Sequence, residues 1–220
     1  KNMPNHIINV VKIESDDNAK QARIMLWLLN YQGVFDFNRI IPMPKIVRNT
    51  RTPNNNNAEQ CIKLTGCSDW YSWSNTYWGT KWNAYDQDVY HNEVIFKPWH
   101  LSCKPKNVLS GAVLRGYVKR INKKYFKSQV KSMGVPECIQ FSTAWSMPEP
   151  IYKAISIRFP DVVFHIQYAD EDRGSNCGEI RLRNGIVINS NIAPWNTHLT
   201  EEYKQWEHFA NQVWEGESNE

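Results

Sequence analysis

The sequence predicts an α+β fold, an antiparallel sheet built in the order β-α-β-β-α-β and covered on one face by two helices. Three observations lead there. Short segments rich in β-branched or alternating apolar residues recur between two stretches of helical period. One pair of such segments is joined by Asn184-Gly185, a dipeptide that accepts the positive φ of a tight hairpin turn. Ten tryptophans in 220 residues, within an apolar share of 41%, supply bulky rings for a large core.

His6 to Glu14 is short and β-branched, as a first strand should be. Asp17 or Asn18 can cap a helix that runs through Tyr31, with Ala22, Met25, Leu26 and Leu29 on its apolar face and Gly33 beyond its end. Asp36 to Pro44 reads as extended, because a proline disfavours helical geometry in the residue before it. Arg48 to Glu59 holds Pro53 and the run Asn54 to Asn57, a composition poor in buriable surface, and is expected to be a mobile loop. Asp69 to Tyr77 follows as a short helix with Trp70, Trp73 and Tyr77 on one face, ended by Gly79.

Lys81 to Asp86 alternates large apolar and polar side chains, as a half-buried strand does. Ile139 to Trp145 alternates likewise. Pro148 to Phe159 is expected as a helix with proline near its start and Pro160 after its end. Val162 to Tyr168 is then a strand, Gly178 to Ile192 a hairpin, and Thr200 to Trp214 a closing helix capped by Thr200. With residues 87–138 set aside as an insertion, the order is the ferredoxin-like one. A single domain over residues 1–220 is expected, its insertion carrying a basic helix at about 108–133.

Several function classes fall away. There is no run of about 18 apolar residues to span a bilayer, and Lys1-Asn2-Met3-Pro4-Asn5-His6 lacks the apolar core of a signal peptide. Five scattered cysteines (Cys61, Cys67, Cys103, Cys138, Cys177) show no C-x-x-C spacing, so reduced thiols in a cytoplasm are expected. The six histidines show no H-x-x-x-H or H-E-x-x-H spacing, and no metal site is expected. His165, mid-strand, reads as a hydrogen-bonded residue. Gly174 and Gly178 match neither phosphate-cradling pattern, and Ser142 and Ser146 lack a nucleophile elbow. No cofactor is implied.

Four segments are distinctive together: Met3-Pro4-Asn5-His6, Phe37-Asn38-Arg39-Ile40-Ile41-Pro42-Met43-Pro44, Trp78-Gly79-Thr80-Lys81-Trp82-Asn83-Ala84-Tyr85-Asp86 and Phe141-Ser142-Thr143-Ala144-Trp145-Ser146. They resemble the YubB ferredoxin-like family of phage and plasmid proteins over roughly residues 3–86 and 139–185. The resemblance implies the fold and a mobile-element origin. That family is essentially a domain of unknown function, so no catalytic residue is carried over. Its members run almost directly from the Tyr-Asp of one strand to the Phe-x-Thr-Ala-Trp of the next, where this chain inserts about fifty residues.

The insertion holds the sharpest functional signal. From Lys104 to Met133 there are nine basic residues and no acidic one, so the segment is +9 while the chain as a whole is only +4. Leu114, Tyr117, Val118, Ile121 and Tyr125 recur at helical spacing. Arg115, Lys119, Lys123, Lys127 and Lys131 repeat every four residues along another face, with Arg120 and Lys124 beside them. Such a stripe neutralises successive phosphates and releases counterions, giving salt-sensitive, sequence-tolerant nucleic-acid binding; an acidic protein surface would serve it as well. The plain alternative is a solvated face of an ordinary amphipathic helix. A membrane role is disfavoured, because the apolar face is needed to dock the helix on its own domain.

Trp70, Trp73, Trp78 and Trp82 read mainly as core, and Trp99, next to the insertion, as the surface ring able to stack on a base. The Asp170 to Asp172 run reads as a solvated turn. The expectation is a non-enzymatic phage or mobile-element protein, with counter-defence inhibition as one role, and a host protein, nucleoprotein complex, DNA or RNA as partner. One alternative is an enzyme acting on nucleotides through Lys81, Asp86 or His91. Another is a homo-oligomer in which Asp170 to Asp172 or Glu215, Glu217 and Glu220 face the lysines.

Overall fold

β1 (His6–Glu14) has the span its β-branched run predicts and lies inside a seven-stranded sheet. The computed structural model describes residues 5–29, 34–54, 56–91, 94–95, 124, 128, 131, 134, 136, 138–194 and 201–215. The other strands are β2 (Tyr85–His91), β3 (Val94–Ile95), β4 (Cys138–Ala144), β5 (Val163–Asp170), β6 (Gly178–Arg183) and β7 (Ile186–Ile192). They stand in the order β3-β2-β4-β1-β5-β6-β7, each neighbouring pair antiparallel. The helices are α1 (Asn18–Leu28), α2 (Lys45–Arg48), α3 (Ala58–Thr65), α4 (Trp70–Tyr77), α5 (Glu149–Arg158) and α6 (Glu201–Glu215). With α1 between β1 and β2 and α5 between β4 and β5, the order β2-β4-β1-β5 makes the fold ferredoxin-like, extended at both sheet edges.

Strand alternation sorts the side chains. Val11, Ile139, Phe141, Phe164, Ile166 and Leu182 face the helix layer and pack with Met25 and Leu28 of α1, Ile151 and Ile155 of α5, and the rings of Trp73 and Trp78. Asn9 sits among them, fully buried but satisfied. Its amide donates to Ile7 O at 3.0 Å and to Thr143 Oγ1 at 2.9 Å, and its Oδ1 accepts from the Tyr152 hydroxyl at 2.7 Å.

The opposite face carries Ile8, Val10 and Ala169, and α6 lies over them. Ala210 and Val213 are buried there beside Trp206, Phe209 and Trp214, and the Trp214 indole donates to Ala169 O at 3.2 Å and Asp170 O at 3.0 Å. The sheet is thus covered on both faces at this end. Sequence pattern predicts helix cover on one face only, since the apolar stripe of α6 reveals a buried side but not which surface buries it. Beyond the reach of α6, the same face is polar: His165 Nε2 lies 2.7 Å from Glu179 Oε2, and Arg181 Nε donates to Glu14 Oε1 at 3.1 Å.

Several expected elements differ in extent or kind. α1 starts where Asp17 accepts from Lys20 N at 2.9 Å, yet stops at Leu28, because Leu29 turns extended and bridges to Phe35. Tyr31 and Gly33 lie outside the described residues. Phe37–Arg39 is a 3₁₀ turn rather than extended chain, fixed by Asp36, whose carboxylate accepts from Asn38 N at 3.0 Å and Asn83 Nδ2 at 2.8 Å. The segment expected as a mobile loop holds defined turns: Trp70 N donates to Thr50 Oγ1 at 2.9 Å, and Asn54 Nδ2 donates to Asn57 Oδ1 and to Ser68 O, both at 2.8 Å. Composition misleads here because one asparagine spends its amide on a carbonyl fourteen residues away.

α4 forms where expected, and Asp69 caps it, with Asp69 and Ser72 bonding reciprocally. The strand expected from Lys81 begins only at Tyr85. The hairpin turns where expected, with Asn184 at φ 49° and Gly185 at φ 78°. Thr200, the expected cap of α6, lies outside the described residues. No helix among the described residues is long and apolar enough to cross a membrane.

Candidate functional site

Of the residues proposed from sequence for binding, Lys124 and Lys131 are described; both are helical and exposed, as is Ser128 between them. The spacing of four and three puts all three on one helical face. Arg115, Lys119, Arg120, Lys123, Lys127 and Trp99 lie outside the described residues. The root of the segment is well placed, however. Ile95 pairs with Tyr90 and Tyr90 with Cys138, so the chain leaves and re-enters the sheet at the Cys138 end of β4. The first part of the 87–138 stretch continues the sheet, since β2 runs to His91 and β3 follows.

A second site forms at the other end of β4, roughly 20 Å along the strand. Trp145, the residue after the strand, has φ 72°, a left-handed conformation in which a bulky side chain is an outlier. Two hydrogen bonds hold it there: Trp145 N donates to Asn5 O at 3.0 Å, and Asn176 Nδ2 donates to Trp145 O at 3.1 Å. Both partners are anchored to Asp170, which is only 5% exposed. Its Oδ1 accepts from Asn5 Nδ2 at 3.1 Å and Asp172 N at 3.0 Å, and its Oδ2 accepts from Asn176 Nδ2 at 2.8 Å. The run expected to be a solvated turn therefore contains a buried carboxylate with three donors. Asp172 and Asn176 are near in sequence, but Asn5 lies 165 positions away, and no local pattern reveals that tie.

Thr80 joins the preceding segment to β4. Its hydroxyl donates to Ala144 O at 2.8 Å and accepts from Ala144 N at 3.2 Å, while Ser146 Oγ donates to Gly79 O at 2.5 Å. The Lys81 ammonium then comes to lie 4.6 Å from the ring centroid of Trp82 and 4.4 Å from that of Trp145. Both rings are open to solvent, at 37% and 40% exposure. Tyr71 meets Trp145 edge-on at 6.2 Å, and Tyr85 meets Trp82 at 6.1 Å.

Tyr85 closes the inner side. Its hydroxyl lies 3.1 Å from Thr143 O and 2.6 Å from His6 Nδ1. One hydroxyl proton cannot serve both, so with Tyr85 donating to the carbonyl, His6 must donate from Nδ1. Burial pushes the Tyr85 phenol up to about 12, and the charges of Asp86 and Glu171 add to the shift.

Trp82 reads from the sequence as part of the core group, and Trp145 carries no separate mark there. The signal within reach was the lysine set between aromatic neighbours in Trp-Gly-Thr-Lys-Trp; the left-handed turn at Trp145 carries no local sequence mark. Trp73 and Trp78 are core, as expected.

The alternative catalytic residues come from one stretch of chain, Lys81 before β2 and Asp86 and His91 within it. Lys81 is held by the two rings, and Asp86 and His91 lie five residues apart on one strand. Among the described residues no group of three or more histidines, cysteines and acids converges on a metal-sized space. Cys61, Cys67, Cys138 and Cys177 are free thiols, and burial pushes the Cys177 thiol up to about 11. For the self-association alternative, Asp170 and Asp172 are already engaged with Asn5. Glu215 is the last described residue of α6, and Glu217 and Glu220 lie outside the described residues.

Residues 124–213 match the model of a family described as a ferredoxin-like domain in Api92-like protein. The match takes in β4, α5, β5, the β6–β7 hairpin and nearly all of α6, and with them Trp145, Asp170 and Asn176. Over this stretch the chain is similar to that family, in agreement with its ferredoxin-like strand order. No curated protein and no solved structure matches the chain.

Proposed function

We propose that this is a non-enzymatic accessory protein of a phage or other mobile element, of the YubB kind, that acts in the host cytoplasm. It binds nucleic acid, or a nucleic-acid-handling defence complex that it inhibits. The observation that carries this reading is the charge of residues 104–133, nine cations with no acid among them. Lys124 and Lys131 add support, being exposed on one helical face. Solvated helices ordinarily mix both signs to gain ion pairs four residues apart, and residues 104–133 hold one sign alone. A cationic segment that joins the sheet at the Cys138 end of β4 can follow a phosphate backbone without reading bases.

The test is fluorescence anisotropy of labelled single- and double-stranded DNA and RNA against the intact chain and a Lys119→Glu, Lys123→Glu, Lys127→Glu variant. If five phosphates are neutralised, affinity falls by roughly several hundredfold between 50 and 200 mM salt. The variant is expected to lose most binding while its melting temperature stays within a few degrees. Unchanged binding defeats the proposal. Capture from host lysate with and without nuclease separates a nucleic-acid target from a protein one.

A further inference from the structure

We infer that Trp82, Lys81 and Trp145 form a second binding site, which takes one unstacked base and its neighbouring phosphate from single-stranded nucleic acid. The inference deepens the proposed function and rests on it for the ligand class, but it uses different residues at the opposite end of β4.

Three independent observations point to this site. The first is exposure. Two indoles stand 37% and 40% open at a place where Trp73 and Trp78 show that this fold can bury tryptophan almost completely. The second is backbone strain. Trp145 is held at φ 72° by Asn5 and Asn176, both tied to the buried Asp170, so a costly conformation is over-determined by its surroundings while its ring packs incompletely. Glycine or asparagine would occupy the position more easily if only the turn were needed.

The third is charge. Lys81 lies between the two rings, its carbonyl accepts from Ser74 Oγ, and among the described residues its ammonium meets the indoles and no carboxylate. A planar ligand that also carries negative charge satisfies both features: its π-face stacks on an indole, and its phosphate meets the ammonium. A duplex conceals the faces of its bases, which makes the single strand the fitting form. A cationic ligand would instead be repelled by the lysine already in place.

The experiment measures binding of a twelve-nucleotide oligothymidylate by anisotropy and by quenching of intrinsic tryptophan fluorescence, with a duplex of equal length and inorganic phosphate as competitors. Trp82→Ala and Trp145→Asn are each expected to weaken single-strand binding by about tenfold. Neither should change the salt slope, and Trp145→Asn keeps a residue that tolerates the left-handed turn. Lys81→Gln should lower the slope by about one. The Lys119→Glu, Lys123→Glu, Lys127→Glu variant should bind more weakly but still show full quenching at saturation.

If Trp145→Asn and Trp82→Ala fold and bind as the parent does, the inference is overturned. It is also overturned if inorganic phosphate displaces the oligonucleotide as well as unlabelled oligothymidylate does. Loss of binding in the tryptophan variants with none in the triple variant removes the basic-segment reading and leaves this site standing. The reverse pattern removes this site alone.

Discussion

The two ends of β4 present opposite kinds of surface. At Cys138 the strand meets the root of a segment whose message is all charge, repeated and uncompensated, and visible in the sequence. At Ala144 the strand runs into a turn whose message is all geometry: a left-handed tryptophan, a buried carboxylate and a lysine between two rings. Charge acts over about a Debye length and needs little precision, whereas stacking needs rings fixed to fractions of an ångström. The difference explains why one end depends on composition and the other on a network of buried hydrogen bonds.

The largest effect should come from the carboxylate under the geometric end. Asp170→Ala removes the buried carboxylate that accepts from Asn5, Asn176 and Asp172 N, and should cost about 2–3 kcal/mol in a urea titration. That is a sizeable part of the stability of a domain this size. The charged end should keep its salt-dependent binding in whatever fraction stays folded. A loss below about 1 kcal/mol would mean that Asp170 does not organise the turn.

Thr80→Val comes next. It removes a hydroxyl that both donates to and accepts from Ala144 in a fully buried position, and should cost about 1–2 kcal/mol. Because Thr80 also sets the distance between the Lys81-Trp82 segment and Trp145, the tryptophan emission should shift as the ring contacts loosen. Loss of stability without any spectral change would separate the hydroxyl from the placement of the rings.

Much of the scaffold was legible because its determinants are local. β1 follows from a β-branched run, α4 from the spacing of Trp70, Trp73 and Tyr77, and the hairpin from Asn184-Gly185. What escaped depends on residues far apart in sequence. Asn5 reaches Asp170 across 165 positions, and Asn54 reaches Ser68 across 14, so acidic and asparagine-rich runs that look solvated are tied into the fold. The site divides in the same way. The lysine stripe can be counted on the page of the sequence, but the exposure of Trp82 and Trp145 is decided by what α4, β1 and the β5–β6 turn place around them. The position of α6 on the second face of the sheet is likewise a tertiary outcome.

A smaller effect tests the inner wall of the aromatic site through pH. Tyr85 has its phenol raised to about 12, against about 10 in an unfolded chain, so between those values the folded form holds a proton that the unfolded form has lost. The stability this contributes is therefore present in full below about pH 10 and is lost as pH rises towards 12. Tyr168, raised to about 12 by burial, adds to the same window. Urea midpoints should be level from pH 8 to 9.5 and then fall, and the fall should be shallower in Tyr85→Phe. An equally steep fall in that variant would assign the whole effect to Tyr168 and other buried groups.

The smallest effect on stability is expected at the charged end. Lys124 and Lys131 are exposed on one helical face, so reversing both to glutamate should change folding free energy by no more than about 0.5 kcal/mol. Two charges of a stripe are reversed all the same, and the salt slope for nucleic acid should fall by about two. This pairing of a silent stability measurement with a large change in salt dependence is the signature of a surface kept for a polyanion. A stability loss of 2 kcal/mol or more would show instead that the lysines face carboxylates of their own chain, and the contrast between the two ends of β4 would then be one of packing at both.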